Sequence, residues 1–332
     1  MPESHVPTGV ATGVGSLPGT DAAEAVRTVW GELPDFPHLP ELPARGPGAD
    51  LIGRGAALLV DLPVQLYAGR WQIASRPGMD LRRARDLLAR DLDALTDLVA
   101  DHDGPVKVAA TGPWTLATSL HRQIGGPMLR DPGAVADLTA SLSEGLSLHL
   151  AELAARLPRA RWVLQLDEPS LPAVLAGTVP TESGLSRYPA VPTDVARDRL
   201  AEVIGRETPV VVHCCAPGVP VGLLRDAGAA GVGLDLDLVD MDTAAGLDPL
   251  GEALDAGVTL FAGVVPPVAD RDGGGKEAAA LVDRLWQRLG LPADRRRDLV
   301  TVTPACGMAG ASPEHARRAM AACVEAARRL SE

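Results

Sequence analysis

Aromatic side chains are nearly missing from this chain of 332 residues: five Trp, two Tyr and two Phe make up 3% of it. With 46% of residues hydrophobic, the core must be aliphatic, built of Ala, Val and Leu, and a chain of this length can bury a large one. Lysine is scarcer still, and no basic block occurs. Together with a formal net charge of −12, this excludes nucleic acid and anionic membranes as main partners and points to a small-molecule substrate. No apolar run approaches the roughly 18 to 20 residues of a membrane-spanning helix, and residues 1–7 lack the basic-then-apolar order of a signal peptide. A cytoplasmic location is expected. Four cysteines are too few for a disulfide framework, so in a reducing compartment they are expected to be buried, catalytic or metal-bound.

What the chain does have is a repeated pattern. Short runs rich in Val, Leu and Ile alternate with longer amphipathic stretches, as in a parallel sheet wrapped by helices. Strands are predicted over residues 56–61, 106–111, 162–167, 209–213, 231–235, 259–264 and 299–303. Helices are predicted over 21–30, 80–101, 132–157, 193–206, 217–227, 246–256, 276–289 and 313–330. Asp131-Pro132, Thr193-Asp194 and Ser312-Pro313 read as helix starts with a capping side chain before the first turn. Seven or eight such units without a polar linker predict an α/β fold of one domain, a (β/α)8 TIM barrel over residues 1–332. The Pro-rich segment 34–47 reads as a surface loop over one rim. Residues 178–192 read as a long loop directly after a strand end, where barrels carry elements that cover substrate.

Residues with chemistry to offer gather at strand ends. His213-Cys214-Cys215 follows the apolar run Val210-Val211-Val212. Alternation points residues two apart the same way, so His213 and Cys215 face together while Cys214 faces away. Asp235 closes Val232-Gly233-Leu234, and Cys306 follows Val302-Thr303-Pro304. Singly, a strand-end Cys is a small buried hydrophobe and a lone His a satisfied rim residue. An imidazole, two thiolates and a carboxylate gathered at the ends of three strands instead make the donor set of four-coordinate zinc. His213, Cys215, Asp235 and Cys306 are therefore the candidate ligands, with Asp237 the alternative acid. Cys323, beside Ala321 and Ala322 in an amphipathic helix, reads as core packing.

In Gln165-Leu166-Asp167-Glu168-Pro169 the proline stops a strand and leaves Asp167 and Glu168 at its end. Both are candidates for general acid or base work or for holding a substrate ammonium; capping the next helix is the alternative. Gly13-Val14-Gly15-Ser16-Leu17-Pro18 brings backbone N–H groups toward an anion such as a carboxylate, which makes Gly15 and Ser16 candidate substrate contacts. It is neither a Walker loop nor a dinucleotide fingerprint. Trp114, in Thr111-Gly112-Pro113-Trp114-Thr115, is a candidate wall for a flat ligand or a packing residue.

As a set, these motifs resemble the C-terminal catalytic barrel of cobalamin-independent methionine synthase, in the superfamily that also holds uroporphyrinogen decarboxylase and zinc-dependent thiol methyltransferases. The likeness runs from about Thr12 to Pro313. Gly15-Ser16-Leu17-Pro18 is similar to the family's Gly-Ser-x-Pro on the first strand, which implies a hold on the homocysteine carboxylate. Gly112-Pro113-Trp114-Thr115 is similar to its Gly-Pro-x-Thr, and Gln165-Leu166-Asp167-Glu168-Pro169 to its Gln-x-Asp-Glu-Pro, whose first acid contacts the amino group. His213-x-Cys215, an acidic strand end and Cys306-Gly307 resemble its zinc ligands in order. The resemblance implies a zinc cofactor and transfer of a methyl group to the thiol of homocysteine, giving methionine. The donor would be methyltetrahydrofolate or a corrinoid, the latter free or on a corrinoid protein. The chain departs from the family in offering Asp where Glu is usual. It also departs in placing Gln65-Leu66-Tyr67-Ala68-Gly69-Arg70 where a His-Gly-Glu element is expected, so that Tyr67 and Arg70 stand for a substrate-binding Glu. Two alternatives are a methyltransferase of the same fold acting on another thiol, and a zinc- or thiol-binding module without catalysis.

Overall fold

A computed structural model describes residues 6–268 and 273–332; residues 1–5, most of the segment read above for a signal peptide, and 269–272 lie outside the described residues. An antiparallel hairpin, β1 (Val64–Tyr67) and β2 (Arg70–Ile73), precedes a parallel sheet of six strands paired in chain order. These are β3 (Pro105–Thr111), β4 (Arg161–Asp167), β5 (Val210–Cys214), β6 (Gly231–Asp235), β7 (Thr259–Val265) and β8 (Val300–Pro304). Around them lie α1 (Ala22–Glu32), α2 (Leu51–Leu58), α3 (Met79–Val99), α4 (Pro113–Ser119), α5 (Pro132–Arg156) and α6 (Leu171–Ala176). They are followed by α7 (Thr193–Ile204), α8 (Val221–Asp226), α9 (Ala244–Asp255), α10 (Gly275–Leu289), α11 (Arg295–Leu299) and α12 (Pro313–Ser331). Among the described residues no helix is long and apolar enough to cross a membrane.

Two further staves close the sheet into a ring, although each pairs too briefly to form a full strand. Residues 9–16 lie beside β8: Gly9 N donates to Val300 O at 2.8 Å, Val302 N to Val10 O at 2.9 Å and Thr12 N to Val302 O at 3.0 Å. Residues 36–42 bridge that stave to β3. Glu41 N donates to Gly15 O at 3.1 Å on one side, while Lys107 N donates to Pro37 O and Leu39 N to Lys107 O, both at 2.9 Å, on the other. Eight staves thus complete the predicted (β/α)8 barrel.

Register sorts the side chains. Val108, Leu164, Leu166, Val212, Leu234 and Val302 face outward into the main aliphatic core beneath the helices. On the opposite parity, Val163, Val211 and Phe261 meet Phe36 and Val6 in a small apolar plug inside the ring. Further along the same inward positions come Gln165, then Asp167 paired in register with His213. The interior is therefore apolar at the N-terminal end of the strands and polar at the C-terminal mouth, as in other barrels of this architecture.

Four expectations change; one is the capping side chain read at Thr193-Asp194, since α7 starts after Pro192 with no side chain accepting from its first turn. Residues 56–61, predicted as a strand, are split between the end of α2 and a loop. Asp50 starts that helix by accepting from Gly53 N at 2.7 Å, and a short apolar run cannot by itself distinguish a buried helix from a strand. The Pro-rich segment is not a surface loop: residues 36–42 are buried and form the second stave. Its prolines are tolerated because Pro37 contributes only its carbonyl, while the donors are Leu39 and Glu41 on either side of Pro40. Finally, α6 intervenes between β4 and the exposed loop that reaches α7, so that loop does not follow the strand directly.

Buried histidines make the fold acid-sensitive. His149, on the inner face of α5, is held neutral by burial and by nearby Arg54, its pKa lowered from 6.5 to about 4. Because the folded value lies below the unfolded one, its contribution is complete above pH 6.5. It disappears as pH falls toward 4, a loss of about 3 kcal/mol. A His149→Leu variant should show a flatter dependence of unfolding free energy on pH between about 6.5 and 4.5 in urea titrations, and an unchanged slope would contradict this assignment.

Candidate active site

His213, one residue before the end of β5, points into the ring, and Cys215 follows on the same parity, while Cys214 is buried against the helices. Across the mouth, Cys306 lies in the turn after β8, which is pinned by Ala305 N to Val265 O at 2.9 Å and Met308 N to Ser16 O at 2.8 Å. The result is a cluster in which donor atoms of His213, Cys215 and Cys306 all lie within 4.8 Å of one another, the two sulfurs 2.9 Å apart. Two glycines permit the approach. A Cβ on Gly233 would come within 2.9 Å of His213 Nδ1, and one on Gly307 within 2.2 Å of Ser16 Oγ.

The electrostatics of the cluster are compatible with a bound cation. His213 Nε2 is buried without a hydrogen-bond partner, a costly state for an imidazole nitrogen that nothing binds. The Cys215 contact, helped by His213, holds Cys306 down to about 4 despite its burial, while the same contact and burial push Cys215 up. One thiolate, a second thiol and a free imidazole nitrogen fit a soft divalent ion such as zinc. Asp235 ends β6 on the inward parity, but its Oδ1 accepts from Asp237 N at 3.0 Å and it is not part of the group within 4.8 Å. It lines a cavity of about 320 Å³ that also touches Ala216 and Gly218, just beyond Cys215.

Below the cluster lies a buried charged network. Lys107 Nζ donates to Val14 O at 2.7 Å and to Gln165 Oε1 at 2.6 Å. Gln165 Nε2 in turn donates to Val14 O at 2.9 Å and Asp167 Oδ1 at 2.7 Å. Burial pushes Asp167 up to about 7, with Glu41 adding to the push and His213, Lys107 and Gln165 opposing it. Burial lowers Lys107 to about 8 against the pull of Asp167 and Glu41. Glu41 is itself held by Arg54 Nε at 3.0 Å.

The other candidates are placed differently. Glu168 is fully buried, and its carboxylate accepts from Trp114 N at 2.9 Å, Thr115 N at 2.8 Å and Thr115 Oγ1 at 2.7 Å, capping α4 from a neighbouring stave. Burial nonetheless pushes it up to about 7. Trp114 is buried in the helical layer, with its indole N–H on Ala196 O at 3.1 Å. Gly15 is buried and Ser16 half-buried at the mouth. Tyr67 and Arg70 are exposed at the turn of the β1–β2 hairpin rather than in the ring, and the acid on the second stave is Glu41. Sequence reading missed Glu41 because prolines disguised its stave. It also missed Lys107, whose signal was available: a cation in the middle of an otherwise apolar strand.

A family model described as the catalytic domain of cobalamin-independent synthase matches residues 7–329. The chain belongs to this family. Among solved structures, a B12-independent methionine synthase from Shewanella sp. W3-18-1 in complex with selenomethionine superimposes with a TM-score of 0.61 at 14% identity. That match covers 97% of this chain and 98% of the other, and it shows a shared fold. An endo-beta-1,4-mannanase double mutant from Cellulomonas fimi follows at a TM-score of 0.45 and 16% identity, over 95% of this chain and 71% of its own. No curated protein sequence matches the chain. For a cobalamin-independent synthase catalytic domain, the cluster at the mouth of the barrel and the acids beneath it are the features on which a function can be argued.

Proposed function

We propose that this chain is a single catalytic barrel that transfers a methyl group from a small-molecule donor to the thiol of homocysteine, giving methionine, with zinc as cofactor. The observation that carries the reading is the convergence of His213 and Cys215 with Cys306, 91 residues beyond Cys215, within 4.8 Å in a chain of this family. These residues would hold the metal, with Asp235 supplying the carboxylate of the set. A zinc ion held there lowers the pKa of a bound thiol, so that a thiolate nucleophile is present at neutral pH.

The remaining work falls to the chain's own groups. Gly15 and Ser16, beside Gly307, are assigned to the substrate carboxylate. Asp167 is assigned to its ammonium, and Glu41 faces the same space from the second stave. An acid that burial holds near 7 becomes a better acceptor once a cation arrives beside it. Glu168 serves as a positioning residue by capping α4, and Trp114 packs behind that helix. The cavity lined by Ala216, Gly218 and Asp235 offers space for a ligand beside the assigned carboxylate. The family offers no support for a corrinoid-protein donor, so methyltetrahydrofolate is the first donor to assay.

Protein purified without chelators is expected to carry about one zinc per chain. It should form methionine from homocysteine with methyltetrahydrofolate or free methylcobalamin. Zinc-loaded protein that makes no methionine from either donor would sink the catalytic reading, and protein that takes up no zinc would sink the site.

A further inference from the structure

We propose that Lys107 is the positioning residue that aims Asp167 at the substrate ammonium, acting through the side chain of Gln165. The inference rests on the amino-acid substrate read above and adds to it the device that orients the acid. Lys107 is fully buried in the middle of β3, and its ammonium donates to two acceptors: Val14 O at 2.7 Å and Gln165 Oε1 at 2.6 Å. Because the ammonium can only donate, it fixes which end of the Gln165 amide faces it. The amide nitrogen must then face the other way, where it donates to Asp167 Oδ1 at 2.7 Å and to Val14 O at 2.9 Å.

Without the cation, the Gln165 oxygen has no donor, and only the Val14 carbonyl and the carboxylate itself hold that orientation. The amide side chain is then anchored at one end instead of two, and the Asp167 oxygen that it holds is placed less firmly. The tether engages one oxygen of Asp167 and leaves the other for a substrate N–H. Lys107 also places a positive charge beneath two acids, Glu41 and Asp167, which would otherwise repel each other in a site closed to water. Charge balance and geometry thus come from one residue that touches no substrate. Val14 directly precedes Gly15 and Ser16, so the same ammonium also braces the turn assigned to the carboxylate.

The test compares homocysteine with 4-mercaptobutanoate, the same thiol acid without its amino group, by calorimetric titration of zinc-loaded protein. In Lys107→Met, zinc content should be retained. Affinity for homocysteine should fall on the order of ten-fold or more, the loss of a well-placed charge-assisted hydrogen bond, while affinity for 4-mercaptobutanoate changes by no more than about two-fold. Gln165→Met cuts the same tether while keeping the cation and should give the same selective loss; it carries the test if Lys107→Met does not fold. Wild-type preference for homocysteine that survives both substitutions, or an equal loss for both thiols, overturns the role of Lys107. Wild-type protein that binds the two thiols equally overturns the amino-group reading itself, and the proposal with it.

Discussion

Replacing Cys306 with Ser is expected to remove the metal and, with it, methyl transfer. The drop in kcat/KM should exceed the roughly 10- to 100-fold that loss of an outer-shell partner costs at a metal site. The argument is one of donors. Removing one sulfur leaves His213 and Cys215 as an imidazole–thiol pair, and a serine hydroxyl is a poor substitute for thiolate toward zinc. Cys215→Ser should behave alike, since either change breaks the 2.9 Å sulfur contact that keeps one thiol acidic. Two controls make the result specific. Cys214 is next to Cys215 in sequence but buried on the opposite face of the sheet, and Cys323 is buried in α12. Serine at either site should cost some stability by burying a hydroxyl, yet leave zinc content unchanged. Metal analysis of the four variants decides the matter: if Cys214→Ser loses zinc while Cys306→Ser keeps it, the ligand set is wrong.

That contrast between neighbouring cysteines was legible in the sequence because strand alternation is strict. Where Val210-Val211-Val212 marks a strand, the parity of His213 and Cys215 follows, and the six strands that carry such runs were predicted within a few residues. The first two staves were harder to read for a physical reason. Residues 9–16 and 36–42 make only a few ladder bonds each, contain glycines or prolines, and are held by their neighbours rather than by their own propensity. Glu41 went unseen with its stave, and the acid expected there was sought in a hairpin that lies outside the ring. Glu168 shows the opposite limit. The motif placed two acids at a strand end, but only three-dimensional packing shows that Asp167 faces the site while Glu168 caps α4. Side-chain partners contributed by distant helices leave no local trace in the sequence.

The second large effect lies in such a partner. Arg54→Leu is expected to destabilise the protein by about 3–5 kcal/mol, because it leaves buried acids without their cation. Arg54 is buried in α2, with Nε on Glu41 Oε1 at 3.0 Å and Nη1 on Asp91 Oδ2 at 2.5 Å, and Arg45 Nη2 reaches the same Asp91 oxygen at 2.8 Å. Without Arg54, Asp91 keeps Arg45, but Glu41 loses its ion pair in a region that already holds Asp167. Exposed pairs such as Arg156 with Glu152 on α5 are screened by water, so breaking them should change stability little. Urea unfolding of Arg54→Leu beside Arg156→Ala separates the two cases. A further variant, Arg54→Leu with Glu41→Gln, should recover part of the loss, since it removes the stranded charge rather than restoring a bond. Recovery of stability without recovery of homocysteine affinity would show that Glu41 is retained for the substrate and Arg54 for holding Glu41 in place beneath it. No recovery at all would mean that the cost of losing Arg54 comes from packing and not from the carboxylate it leaves behind.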